Sequence, residues 1–485
     1  MLKRKILTNT AFNISSQILG LVFGVVLARL LFPRDFGIYG ISLLCIEIAV
    51  FLSFEGFDVA LIQNKQTNEK YYGSVFWFYL IVNSILAILI FVSAPTISVF
   101  FKMPPLTLLL KWHVIVLIIA AFRPISSVIL TRDLKFKELG IATFLSKTVT
   151  GISSIIFVLF KFGALSLVLG SILGELTSNL VSLYFVLKTK QHLIFKLNFN
   201  ILKDLSHVGI GVTLQQVFGY VSGNVDYFLL GKLTSAEILG FYTKAFKLMT
   251  IPVRQVSRNI SKVLLSGFSQ IQDDNEQIIN KFLKIVQATS LVTFPLFLIC
   301  YIYSPGLIFF VYGERWMPTV IPFRILILAG AIKSLSTYLG DILKAKGLVF
   351  YELLVQVGNA LIIGIGGFFA ILRWEMKGSS YIVVLASIIF WIAMLIIFLN
   401  TLELSALRYF KVLLPSTFIC VILTLWNIFL KGIVGSNNTL QTLIIGILSS
   451  LFWYIFSIII IKNYCLLNLE IDRLYQKLTI FFYEM

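Results

Sequence analysis

Residues 12–39, FNISSQILGLVFGVVLARLLFPRDFGIY, and residues 215–242, QQVFGYVSGNVDYFLLGKLTSAEILGFY, align without a gap at a constant offset of 203. Gly20 falls on Gly223, Leu27 on Leu230, Arg29 on Lys232, Leu30 on Leu233, Gly37 on Gly240 and Tyr39 on Tyr242. Each copy is a long apolar run that ends in a basic residue. A polar turn follows (Phe32-Pro33-Arg34-Asp35, then Ser235-Ala236-Glu237-Ile238), and Gly-x-Tyr opens the next apolar run. Identities inside apolar runs arise easily by chance, so the basic residue, the turn and Gly-x-Tyr carry the repeat. Two halves with the same helix pair point to a transporter built from two similar bundles. The offset spans six helices, an even number. The halves therefore share one orientation and are related by a pseudo-twofold along the membrane normal.

Composition sets the solvent. Of 485 residues 58% are hydrophobic and 13% charged, and the mean hydropathy is +0.95. A water-soluble protein of this size cannot hide so much apolar surface, so lipid is the solvent. Most stretches between polar breaks have the length an α-helix needs to cross the hydrocarbon core. The ten-residue alternation of a transmembrane barrel is not seen. The expected fold is an all-α polytopic membrane protein of about fourteen transmembrane helices. The first span, 11–31, is read as a retained helix and not a signal peptide. Residues 1–187, helices 1–6, form an N-terminal lobe. Residues 188–205 form a basic linker on the cytoplasmic side, and residues 206–402, helices 7–12, form a C-terminal lobe. Helices 13 and 14 occupy 403–462. The tail, 463–485, repeats Leu467, Ile471, Leu474, Leu478 and Phe481 at three- and four-residue steps, the pattern of an amphipathic helix in the inner interface.

Lys and Arg in the connections favour the side of the chain start by more than two to one. That side is cytoplasmic, which puts both termini inside. The net charge of +18 reads as this topology rule plus attraction to anionic headgroups of membrane lipids. Charges dispersed over short loops do not support nucleic-acid binding. The cysteines Cys45, Cys300, Cys420 and Cys465 and the histidines His113, His192 and His207 have no disulfide or metal spacing. No enzyme motif, catalytic residue or cofactor loop is found.

Ionisable residues inside spans are expensive in lipid and mark function by default. Span 8, 240–265, carries Lys247, Arg254, Arg258 and Lys262 close to one helical face. Arg254 lies about 21 Å along it, near or past mid-depth, whereas Lys244 and Lys262 can snorkel to the two surfaces. Span 2, 37–62, is the repeat mate of span 8, and its Glu47, Phe51, Glu55 and Asp58 share a face. At the offset of 203, Glu55 matches Arg258. Related helices thus carry stripes of opposite sign. Two compatible readings follow: the stripes pair to hold the lobes together, or the cations meet an anionic substrate while the carboxylates gate it or carry a coupling ion. Arg254, Arg258 and Lys247 are the substrate-binding candidates. Asn13 and Gln216, a repeat pair, join them as cavity lining or as interhelical glue. Glu47, Glu55, Asp58 and Asp226 are the gating or coupling candidates, with Glu55 and Arg258 as the gate pair. Arg123-Pro124 marks a kink, and Lys147 with Glu175 reads as an internal pair.

Two stretches carry a family resemblance: Leu27 to Tyr39, and Pro305 to Leu326 with Gly313, Trp316 and Pro322. They resemble the Wzx-type polysaccharide and O-antigen flippases, the branch similar to WzxC and TuaB in the multidrug/oligosaccharidyl-lipid/polysaccharide exporter superfamily. The resemblance covers the whole chain in length, span count and repeat. It implies a cavity lined by helices 1, 2, 7 and 8. It implies transfer of an undecaprenyl-diphosphate-linked oligosaccharide across the bacterial cytoplasmic membrane by alternating access, for surface polysaccharide biosynthesis. It also implies polysaccharide polymerase machinery as a partner. Arg254 and Arg258 match the cationic cavity of the family, while the acidic face of span 2 departs from the basic one of the peptidoglycan-precursor relatives. The alternatives are a drug or cation antiporter of the same superfamily and a membrane polysaccharide polymerase or ligase.

Overall fold

The structure is a computed structural model and describes residues 2–53, 56–64, 67–188, 194–269, 274–346, 348–434 and 440–463. Every regular element among them is helical. The first half runs α1 (Leu2–Leu30), α2 (Pro33–Leu52), α3 (Gly56–Gln63), α4 (Glu69–Phe100), α5 (Leu106–His113), α6 (Ile115–Ala120), α7 (Ser127–Arg132), α8 (Phe136–Leu159) and α9 (Leu165–Leu187). The second runs α10 (Phe199–Leu233), α11 (Ala236–Ser269), α12 (Asn275–Ile302), α13 (Ser304–Tyr312), α14 (Val320–Ala345), α15 (Val349–Leu361), α16 (Gly367–Leu402), α17 (Ala406–Val434) and α18 (Leu440–Asn463).

Ten stretches are long and apolar enough to cross a membrane. One of them, Phe350–Leu402, is two crossings, because Glu375 leaves helical geometry at φ 48°. Gly378 then passes so close to Ala370 that a Cβ would stand 2.1 Å from its carbonyl oxygen. α10 and α11 have the length but not the apolarity; they carry Gln216, Asn224 and Asp226, and Lys244, Lys247 and Arg254. The chain is a multi-pass membrane protein, with a helical counterpart for each expected span. The amphipathic tail lies outside the described residues from 464 onward. Of the linker, 194–198 has no regular secondary structure, and Ser74 on α4 donates to the Lys196 carbonyl at 2.9 Å. Residues 199–205 open α10.

The contacts divide the chain into two compact units, 1–243 with 367–379, and 244–366 with 380–485. In the first, α1 packs on α8 and α8 on α9. Gly170 and Gly174 meet Ser154 and Thr150, small residues one turn apart on both helices, which brings the two backbones close. The second unit centres on Phe282, Tyr338, Phe398 and Tyr409. There Asn427 accepts from the Tyr303 hydroxyl and donates to Ser450 at 3.1 Å, tying α17 to α18.

The repeat is physical. A Cβ on Gly37 would stand 1.7 Å from the Ala236 carbonyl oxygen, and one on Gly240 would stand 1.9 Å from that of Pro33. The offset of 203 turns the first contact into the second, so the two hairpins are related by a twofold. Gly40 approaches Thr243, its own repeat mate. The turns ahead of the crossing are capped by complementary halves of one device. In the first copy Asp35 reaches back to accept the Phe32 N–H at 3.0 Å. In the second, Ser235 accepts the Ile238 N–H at 3.3 Å. Pro33 sits in the first turn of α2, where no N–H is needed.

Gly37→Ala and Gly240→Ala must push backbone from backbone, and each is expected to destabilise by about 1–3 kcal/mol. A Cβ on Gly20 meets nothing within 4 Å, so Gly20→Ala should be neutral or stabilise by up to about 1 kcal/mol. Thermal unfolding of the purified variants in detergent checks this, and equal effects at positions 20 and 37 would contradict the crossing.

Candidate functional site

The acidic face of span 2 divides into two environments. Asp58, on α3, is buried, with 7% exposure. It accepts from the Tyr79 hydroxyl at 3.0 Å and pairs with Arg123 at 3.6 Å. Arg123 opens the 3-10 segment Arg123–Ile125, which breaks the helix at Pro124 as the sequence suggests. Glu175 acts on Arg123 from α9 and accepts from Asn179 at 3.4 Å. Lys147 is exposed and forms no ion pair with Glu175, contrary to the sequence expectation. Glu175 instead faces the bundle interior, where Arg123 and Asn179 meet it.

Glu47, on α2, is half-buried and looks to α10. Tyr220 lies beside it, and the Tyr220 ring lies 5.1 Å from that of Phe51. Thr213, Gln216 and Tyr220 share a face of α10 by three- and four-residue steps. At the near end of that face Thr213 accepts the Gly56 N–H at 3.2 Å. Gln216, between them, has a buried side-chain oxygen with no hydrogen-bond partner. Nearer the end of α10, Asp226 is 4% exposed and accepts from the Tyr242 hydroxyl at 2.5 Å. The structure thus brings Glu47 and Gln216 onto one α2–α10 seam and sets Asp58 and Asp226 in separate pockets.

α11 presents the cations. Lys247 and Arg254 are exposed and seven residues apart, on one face. Lys244 does not snorkel, as its position near the span end suggested. It is 4% exposed, with its ammonium 5.2 Å from the Tyr312 ring centre and 5.3 Å from that of Trp316. Aromatic faces attract a cation strongly once water is excluded, which holds it inside. Glu55 lies outside the described residues, as do the side chains of Arg258 and Asn13, and with them the expected gate pair.

Sequence reasoning missed Tyr79 and His113. Tyr79 is fully buried against Asp58. His113 bridges Ser42 at 2.8 Å and Ser171 at 3.5 Å beneath the Tyr39 ring. A lone histidine in an apolar run carries no signal until its partners, on α2 and α9, are folded against it.

Comparison with known proteins bears on this arrangement. The family model described as polysaccharide biosynthesis protein matches residues 26–321. The chain is 25% identical over 334 residues to the teichuronic acid biosynthesis protein TuaB of Bacillus subtilis, covering 69% of each chain. It is 24% identical over 337 residues to the lipopolysaccharide biosynthesis protein WzxC of Escherichia coli, covering 68% of this chain and 67% of that one. Among solved structures, the lipid II flippase MurJ in an inward closed conformation superposes with a TM-score of 0.76 at 17% identity, over 94% of this chain and 99% of that one. An inward-facing multidrug resistance MATE transporter gives 0.62 at 13% identity, over 81% and 96%. At these identities the structural likeness is one of fold. The family match spans more than half of the chain and includes the turns of both hairpins of the repeat, and the chain belongs to the polysaccharide biosynthesis protein family.

Proposed function

We propose that this protein is a flippase of the bacterial cytoplasmic membrane, with both termini cytoplasmic. It moves an undecaprenyl-diphosphate-linked oligosaccharide to the outer leaflet for surface polysaccharide biosynthesis. The observation that carries the reading is Arg254, an exposed guanidinium deep in a membrane-length helix. Exposed to lipid at mid-depth it would cost at least about 2.5–3.5 kcal/mol. Lining a water-filled path, it offers a diphosphate a planar fork of donors. Lys247, two turns away, adds a second positive charge. Arg258 and Asn13 belong to the same proposed set. Gln216, with an oxygen that lacks a donor, suits a sugar hydroxyl. α10 and α11 are the helices whose polarity sets them apart from the apolar spans, as transport-path helices require.

The MATE-like fold leaves a cation antiporter as the nearest rival. Against it, Asp58 is neutralised by Arg123 and Glu47 lies beside Tyr220, so the acidic face is engaged internally. In the proposed cycle Glu47 and Tyr220 form a latch between α2 and α10 that releases when the path opens. Asp226, Glu55 and Asp58 remain the coupling candidates. Polysaccharide polymerase machinery is the proposed downstream partner.

Complementation of strains that lack defined flippases, with lipid-linked intermediates measured on each side of the membrane, tests the reading. Arg254→Ala should abolish export at normal protein levels, and Arg254→Lys should keep part of it. Normal export by the alanine variant would remove Arg254 from the site. For the latch, Tyr220→Phe keeps the ring against Phe51 and deletes only the hydroxyl. Combined with Glu47→Gln it should show a coupling energy of about 1.5–3 kcal/mol in thermal unfolding, the value of a hydrogen bond to a charged group. Additive effects of the two substitutions would show that the latch does not exist.

A further inference from the structure

Arg324 stands in the second turn of α14, about 6 Å from the start of that helix, and nothing in the transport site uses it. Its Nε donates to the Ser304 Oγ at 2.7 Å and to the Tyr301 carbonyl at 3.3 Å. Its guanidinium carbon lies 5.4 Å from the centre of the Tyr301 ring. That carbonyl belongs to the last turn of α12, where helix carbonyls lack intrahelical donors and the dipole favours a cation. Ser304 donates to the same carbonyl at 2.9 Å. One edge of the guanidinium is thereby fixed. Neither Nη has a hydrogen-bond or ion-pair partner among the described residues.

Arg324 lines a groove of about 320 Å³ between α12, α14 and the second crossing of α16, all within one unit. The lining sorts by depth. Tyr301 closes α12, and Tyr381 follows the break at Glu375, so both rings stand at the same end of the unit as Arg324. Leu328 lies one turn deeper than Arg324, and Leu385 and Ile388 lie one and two turns deeper than Tyr381. No acidic residue is in the lining among the described residues. Leu328 and Leu385 are exposed. A path for a sugar needs polar walls, whereas aliphatic walls below an aromatic rim suit acyl chains below the headgroup level.

We propose that this groove holds a membrane phospholipid with an anionic headgroup, its phosphate on the two Nη groups of Arg324 and one acyl chain along Leu328, Leu385 and Ile388. The guanidinium presents paired N–H donors in a planar fork that matches phosphate. Its charge has no carboxylate partner among the described residues, so a net-negative headgroup is favoured over a zwitterionic one, whose own ammonium offsets the phosphate. The Nε contacts orient the fork before the lipid arrives, which lowers the entropy lost on binding. The site is separate from the cations of α11. It rests on the membrane placement of the chain and not on the flippase reading; in the proposed orientation it faces the outer leaflet.

The test uses full-length protein in detergent, titrated with phosphatidylglycerol or phosphatidylcholine, with bound lipid followed by native mass spectrometry. Phosphatidylglycerol with a photoreactive diazirine in one acyl chain maps the position. The parent should retain phosphatidylglycerol in preference to phosphatidylcholine and cross-link around Leu328 and Leu385. Arg324→Gln should weaken phosphatidylglycerol about tenfold and remove the preference, because a hydrogen bond to a charged group is lost. Arg324→Lys, which keeps the charge without the fork, should fall between the two. Leu385→Trp fills the groove and leaves Arg324 in place; it should keep the parent's melting temperature and lose the cross-link at Leu328. Equal retention of the two lipids by the parent, cross-links only elsewhere, or an undiminished Leu328 cross-link in folded Leu385→Trp each overturns the proposal. Displacement of the photolipid by undecaprenyl phosphate and not by unlabelled phosphatidylglycerol would assign the groove to the lipid carrier and overturn it as well. None of these readouts depends on export, so their failure is distinct from failure of the flippase reading.

Discussion

The crossing of two backbones at Gly37 and Gly240 organises the first unit. Each glycine lies against the carbonyl of the residue that opens the other hairpin's second helix, closer than any side chain permits. The approach fixes where α2 and α11 begin and aligns the two copies about one axis. It also brings α10 alongside α2 and α3. Gly231 accommodates Ile41 near one end, and Gly209 accommodates Phe57 near the other. Between them Tyr220 reaches Glu47 and Phe51. Beside the crossing Lys232 donates to the Phe100 carbonyl at 2.8 Å and covers that ring at 3.7 Å. A glycine repeated at the same point of both hairpins is what such mutual contact demands.

Much of this was legible in the sequence because the signals are local. Hydropathy marks spans since lipid tolerates no unpaired backbone. Gly-x-Tyr after a polar turn marks the hairpin, and Arg123-Pro124 marks a helix break because proline removes a donor. What was not legible depends on partners distant in the chain. Lys244, placed near a helix end, has the sequence signature of a snorkelling lysine. Tyr312 and Trp316, nearly seventy residues on, enclose it only after folding. Asp58 and Arg123 lie on different spans, and charge periodicity alone cannot tell a residue that meets its counter-ion inside the same bundle from one that waits for a substrate. Lys147 shows the converse: a charge expected to pair inside is exposed.

Charge in this protein follows a division of labour that physical cost explains. Asp58, Arg123, Glu175 and Asp226 are buried or half-buried and held by tyrosines, asparagine or one another. Removing one partner from such a set leaves an uncompensated charge, which is strongly destabilising. Two cations of α11 are different. Lys247 and Arg254 stand exposed along a helix too polar for a simple lipid-facing span. Under the proposed flippase reading, an anion uses the exposed guanidinium of Arg254. In a family named for polysaccharide biosynthesis, the diphosphate of a lipid carrier is the anion this account assigns.

The most direct measurement is transfer between leaflets by the purified protein alone. Vesicles containing an undecaprenyl-diphosphate-linked oligosaccharide in the inner leaflet, with or without the protein, are treated with a membrane-impermeant lectin that binds only glycans facing outward. The account predicts that lectin-accessible glycan rises with time in protein-containing vesicles and stays at the initial level in empty ones. Equal accessibility in the two preparations, with intact vesicles and folded protein, would contradict it.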